Sequence, residues 1–140
     1  MSRYVVDASV AVKWFVPEIH TQAALRLLHE THELVAPDLL FPEIGNTLWK
    51  KIRLEEIDRD EARQVLRALR ALPLTIQPSA PLLEPALEIA IGLNRTVYDS
   101  LYVALALQHH CRMVTADRRL HQHLRGGPFA FHVQWVEDAL

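Results

Sequence analysis

The chain has 140 residues, of which 50% are hydrophobic, 23% charged and 7% aromatic, and its formal net charge is −2. That length corresponds to one domain, residues 1–140, able to bury about 68–70% of its unfolded surface. The composition excludes collagen-like, low-complexity and globally disordered classes, and the charge leaves any contact with nucleic acid to a local patch or a bound metal.

The lone cysteine, Cys111, allows neither an internal disulfide nor a Cys-rich zinc site. The four glycines, Gly45, Gly92, Gly126 and Gly127, build neither a dinucleotide-binding nor a P-loop motif. No apolar run approaches the roughly 18 residues of a membrane helix. Met1 to Val16 is apolar but interrupted by Asp7 and Lys13, unlike a signal-peptide core. These features, with an unpaired Cys111, lead us to expect a cytoplasmic protein.

Arg3 to Val6 is a short β-branched and aromatic run ending at Asp7, the pattern of a buried strand. Thr21 to Thr31 carries Ala24, Leu27 and Leu28 at helical spacing. Glu33 to Ala36 reads as a second strand, stopped by Pro37. Leu39 to Leu54 reads as a helix, with Pro42 in its first turn, where a missing N–H costs little. Asp58 with Glu61 has capping-box spacing and opens a helix that runs to Leu72, ended by Pro73. Leu74 to Gln77 is a third strand. Ala80 to Leu93 and Tyr98 to His110 are helices, and Arg112 to Thr115 is a fourth strand. A short helix follows from Asp117 to Leu124, with Gly126-Gly127 as its expected C-cap. Phe129 to Trp135 alternates as a last strand. Strands alternating with helices predict an α/β protein with a mostly parallel sheet.

Two aspartates directly follow strands: Asp7 the first, Asp117 the fourth. In an open parallel sheet, ligands bind at the carboxyl ends of strands where strand order reverses. If strands one and four are neighbours, both aspartates face one crevice. Glu43 and Asp99, early in their helices, could open onto the same place. Four converging carboxylates would repel one another, and a divalent cation removes that penalty. Oxygen ligands favour Mg²⁺ or Mn²⁺ over zinc. Each acid also has a purely structural reading: Asp7 as a turn residue, Asp99 and Asp117 as N-caps, Glu43 as a solvated helix side chain.

Four segments carry a resemblance: Tyr4-Val-Val-Asp-Ala-Ser9, Pro42-Glu-Ile-Gly-Asn46, Thr96 to Ala106 (TVYDSLYVALA), and Met113-Val-Thr-Ala-Asp-Arg118. In this order the chain resembles a PIN domain of the VapC-type toxins of toxin–antitoxin pairs. The resemblance implies a three-layer fold with a five-stranded parallel sheet in the order 3-2-1-4-5 flanked by helices. It also implies Mg²⁺- or Mn²⁺-dependent endonucleolytic cleavage of RNA, a homodimer, and a cognate VapB-like antitoxin. The family's acids map onto Asp7, Glu43, Asp99 and Asp117, which are expected to hold the metal, with Glu43 or Asp117 accepting the water's proton. Ser9, Asn46 and Thr115 map onto the residues that orient those carboxylates.

Arginine exceeds lysine twelve to three. Arg118 and Arg119, beside Asp117, are candidate RNA contacts. Arg59, Arg63, Arg67 and Arg70 form a helix stripe that is either a solvated face or a contact with RNA or an acidic partner. His109, His110, His121 and His123 lack zinc-motif spacing. Trp14, Trp49 and Trp135 read as core or interface residues. Trp14-Phe15 could border a partner groove, and Leu39-Leu40-Phe41, with the helices around Trp49 and Leu72, is candidate antitoxin surface. A haloacid-dehalogenase-type phosphatase would want an acid at position 9, and a receiver domain an acidic pair beside Asp7. The alternative from another class is a catalytically silent PIN-like module that binds RNA or protein.

Overall fold

The computed structural model describes residues 2–29 and 31–138. Its centre is a five-stranded sheet in the order β3-β2-β1-β4-β5. The strands are β1 (Ser2–Val6), β2 (His32–Pro37), β3 (Thr75–Gln77), β4 (Arg112–Thr115) and β5 (Val133–Trp135). Every pairing is parallel. Tyr4, Val5 and Val6 are buried in succession. An unbroken buried run of this kind marks a central parallel strand covered on both faces.

Seven helices connect and flank the strands among the described residues: α1 (Ala8–Ala11), α2 (Thr21–Arg26), α3 (Leu40–Arg53), α4 (Arg59–Ala71), α5 (Leu83–Leu93), α6 (Val97–Gln108) and α7 (Arg118–Arg125). α3 buries Leu40, Ile44 and Leu48, one stripe at helical spacing. α4 opens with the expected capping box: Asp58 Oδ1 accepts from the Glu61 backbone N–H at 2.8 Å, and Glu61 Oε1 accepts from Asp58 N at 3.3 Å. α6 packs against β1, β2 and β4. It is buried without interruption from Ser100 to Ala106, which explains its lack of a clean polar face.

Several boundaries differ from the sequence reading. The helix expected over Thr21–Thr31 stops at Arg26. The chain must be extended by its end, because Ser2 N donates to Thr31 O and Ser2 pairs with His32; Glu30 and Met1 lie outside the described residues. The strand expected over Phe129–Trp135 is only Val133–Trp135, preceded by a 3₁₀ turn at Ala130–His132. Pairing with β4 runs only from Met113↔Val133 to Thr115↔Trp135, and the 3₁₀ turn takes the residues just before it. Gly126 closes α7 with an ordinary φ of −90°, not the left-handed conformation expected of a glycine cap. The short helix α1 and the 3₁₀ turn Val12–Trp14 lie where no element was expected.

Candidate active site

The register of β1 against β4 builds the centre of the site. Val6 pairs with Val114, so Asp7 and Thr115, one residue further along each strand, come side by side. Asp7 leaves the strand in an extended conformation and caps α1, its carboxylate accepting from Val10 N at 3.2 Å. Ser9 Oγ donates to Asp7 Oδ1 at 2.5 Å, and Thr115 Oγ1 donates to Oδ2 at 2.5 Å. The same hydroxyls accept backbone N–H groups from the β4–α7 turn: Ala116 N reaches Ser9 Oγ, and Asp117 N reaches Thr115 Oγ1, both at 3.0 Å. Two hydroxyls thus bind two strand ends to one buried carboxylate.

Asp7, Glu43, Asp99 and Asp117 line one open cleft of about 530 Å³, together with Ser9, Asn46, Lys50, Tyr98 and Tyr102. The four acids come from four separate segments. Asp117 caps α7, Oδ1 accepting from Leu120 N at 3.1 Å. Asp99 does not cap its helix, because Thr96 does, its hydroxyl accepting from Asp99 N at 3.0 Å. That frees the Asp99 carboxylate for the cleft, where Arg95 donates from Nε at 3.2 Å and from a terminal nitrogen at 2.9 Å, both to Oδ2. Glu43 lies in the first turn of α3, where Tyr102 Oη donates to its Oε1 at 2.5 Å.

The electrostatics follow from burial. Asp7 is 6% exposed. Burial pushes its carboxyl up to about 6, against the three hydrogen bonds that favour its charge, and the Asp117 charge adds to the rise. Burial also raises Glu43, opposed by the Tyr102 hydrogen bond and reinforced by Asp99. Tyr102, buried and facing these carboxylates, is held far above the ordinary phenol range. The cleft is therefore loaded with negative charge that is expensive to keep.

In donor chemistry these residues fit a hard divalent cation: every candidate ligand is a carboxylate, and the repulsion among them is what such an ion relieves. They fit as an open set. Among the described residues no three His, Cys, Asp or Glu are drawn together tightly enough to enclose an ion. Asp99 is turned to Arg95 and Glu43 to Tyr102.

The other sequence candidates are distributed as follows. Asn46 lines the cleft one turn beyond Glu43. Arg118 and Arg119 are exposed and do not line it; Arg118 lies over the Trp135 ring, 4.6 Å from its centroid. Arg59, Arg63, Arg67 and Arg70 are all exposed on α4, with Arg63 paired to Asp60 at 3.3 Å. Leu40 is fully buried, so it belongs to the core and not to partner surface. Trp14 is a core residue whose indole N–H donates to Ala24 O at 2.7 Å, whereas Trp49 is 52% exposed under Arg53. His123 Nε2 donates to Leu93 O and His109 Nε2 to Gln77 Oε1, away from the acids.

Sequence reasoning missed Arg95, Tyr102, Lys50 and Tyr98. The i,i+4 spacing of Arg95 and Asp99 was a legible signal for their pairing. Tyr102 had none, since its partner lies 59 residues away.

Comparison with known proteins agrees with this fold. The family model described as PIN domain matches residues 4–125. Ribonuclease VapC3 of Pyrobaculum aerophilum is 36% identical over 120 residues, covering 84% of this chain and 92% of that protein. Among solved structures, PAE2754 from Pyrobaculum aerophilum superposes with a TM-score of 0.72 at 26% identity, over 97% of this chain and 85% of that one. VapBC2 from Rickettsia felis, solved bound to a DNA fragment from its promoter, matches with a TM-score of 0.66 at 13% identity, over 95% of this chain and 98% of that one, a likeness of fold alone.

Proposed function

The chain belongs to the PIN domain family, and from that premise we propose that it is a Mg²⁺- or Mn²⁺-dependent endoribonuclease, the toxin of a VapBC-like toxin–antitoxin pair. The observation that carries this reading is the convergence of Asp7, Glu43, Asp99 and Asp117 on one cleft. The ribonuclease name of its Pyrobaculum relative supports the choice of RNA. Homodimerisation and inhibition by a VapB-like antitoxin are part of the proposal, and a structural neighbour that is a VapBC complex is consistent with the partner. The protein would act in the cytoplasm; no helix among the described residues is long and apolar enough to cross a membrane.

Asp7, Asp99 and Asp117 would hold the ion, with Glu43 at its edge. A divalent cation there supplies Lewis acidity, acidifying water and offsetting charge on the phosphodiester. The protein's own groups do the rest. Ser9 and Thr115 fix both oxygens of Asp7. Asn46 is placed on the same wall as Glu43. Glu43 accepts the proton of the attacking water: its carboxyl is raised by burial and by Asp99, which makes it a better base than a solvated acid. Tyr102 directs that carboxylate by its hydroxyl. Arg118 and Arg119 contact RNA outside the cleft.

The test is cleavage of end-labelled structured RNAs with Mn²⁺, with Mg²⁺ and with chelator, for the wild type and Asp99→Asn. Internal cleavage that requires metal and is lost in the variant is expected. A wild type that binds Mn²⁺ and RNA but cuts neither structured nor single-stranded substrates would replace this reading with that of a binding module.

A further inference from the structure

Arg95 is bonded to one of the four acids and the proposed chemistry leaves it unused. It lies in the turn between α5 and α6 and spends two guanidinium nitrogens on a single oxygen of Asp99. Its side chain is 23% exposed and that of Asp99 is 29% exposed. The lining of the cleft holds four carboxylates and one cationic side chain, Lys50 on the α3 wall. Arg95 does not itself line the cleft; it holds Asp99 from the turn that precedes α6.

A guanidinium and a divalent cation compete for the same carboxylate, since each is stabilised by that charge and repelled by the other. The RNA backbone brings a further negative charge to a cleft already rich in it, and a bidentate guanidinium is well suited to a phosphate.

We infer that Arg95 is a phosphate-binding residue held in reserve: Asp99 sequesters its guanidinium in the metal-free protein, and cation binding at Asp99 releases it to the incoming nucleic-acid strand. The inference rests on the nuclease reading and adds to it a residue and a coupling. Metal and nucleic acid then bind cooperatively because one guanidinium serves first the carboxylate and then the phosphate. The counter-ion also lowers the affinity for the metal itself.

The first measurement is calorimetric titration of the purified chain with MnCl₂ alone. Arg95→Ala and Arg95→Gln are each expected to bind Mn²⁺ about three- to fivefold more tightly than the wild type, the range of a partly exposed ion pair. Arg63→Ala, which removes an exposed arginine on α4, is expected to leave the affinity unchanged. Equal or weaker affinity in both Arg95 variants, or the same gain in Arg63→Ala, overturns the inference. Melting temperatures measured alongside identify any variant whose fold has changed, and two different replacements keep the comparison usable.

The second measurement follows binding of a fluorescein-labelled dT15, confirmed intact by gel, against salt. With Mn²⁺ present the wild type is expected to show a log–log salt slope steeper than Arg95→Ala by about 0.7, one phosphate contact on a single strand. Without Mn²⁺ the two slopes are expected to coincide. A slope difference that ignores Mn²⁺, or no difference at all, overturns the release of Arg95. A wild type that takes up no Mn²⁺ overturns the metal site and the nuclease reading together, whereas normal uptake with unaltered variants overturns the role of Arg95 alone.

Discussion

Thr115 Oγ1 donates to Asp7 Oδ2 at 2.5 Å across the β1–β4 boundary, between residues 108 apart in the chain. The bond exists because those two strands are neighbours in the sheet, and it ties the acid after one strand to the turn after the other. Thr115→Val keeps the shape of the side chain and removes both the donor to Asp7 and the acceptor for Asp117 N. We expect a loss of about 1–2 kcal/mol in urea-unfolding stability at pH 7, together with weaker Mn²⁺ uptake. Unchanged stability and metal affinity would mean that the hydroxyl plays no part in shaping the site.

The raised Asp7 carboxyl makes a pH prediction for the metal-free protein. The folded-state value of about 6 lies above the ordinary 3.8, so between these values the native state binds more protons than the unfolded chain. Stability from this group therefore falls as pH rises through that window. The full cost, about 3 kcal/mol, is present above it and absent below pH 3.8. In chelator, Asp7→Asn is expected to be more stable than the wild type at pH 7.5, with the gap closing towards pH 4. Mn²⁺ should restore the wild type and leave the variant unaffected. A variant less stable than the wild type at pH 7.5 in chelator would refute the charge-burial account.

The parts of the site visible in the sequence are those fixed by local pattern. An apolar run ending in an aspartate marks Asp7, and the turn chemistry after Arg112–Thr115 marks Asp117. Capping does not compete with a place in the cleft for these residues, since each aspartate caps a helix and lines the cleft at once. For Asp99 the cap reading fails, because Thr96 takes the cap. What stayed hidden depends on packing between distant segments. Tyr102 sits in an apolar helix and reads as core, which it is, being 2% exposed; only the approach of α3 turns its hydroxyl into a partner for Glu43. The last strand is shorter than its alternation suggests, because only Val133–Trp135 pairs with β4.

Tyr102→Phe isolates that hydroxyl. The ring stays packed, and Glu43 loses its directing donor while remaining open to cleft water. Cleavage is expected to fall about tenfold in kcat with RNA affinity unchanged, the pattern of a lost orienting contact. Stability should shift by no more than about 1 kcal/mol. Rates measured across pH 5.5–8.5 for both proteins check it: a fall in kcat at every pH is expected, and equal rates throughout would remove Tyr102 from the mechanism.

The two walls of the cleft are also joined from behind. Glu18 accepts from Lys13 Nζ at 3.0 Å and from Lys51 Nζ at 2.9 Å. Lys13 is 7% exposed and belongs to the turn that continues α1 beyond Ser9, while Lys51 lies on α3 with Glu43. Burial works against the Glu18 charge, but the hydrogen bonds from the two lysines outweigh it and hold the carboxyl below its usual range. A group depressed in this way contributes stability above its unfolded value of 4.5 that is lost as pH falls through its folded value. Glu18→Gln leaves a buried ammonium without its counter-charge and is expected to cost about 2 kcal/mol at pH 7, less as pH falls below 4. Because Glu18 links the segment carrying Ser9 to the helix carrying Glu43, RNA cleavage should fall with stability. Lower stability with full cleavage would show that the apolar core alone, through Val10, Ala11, Ile44 and Leu48, keeps the walls in place.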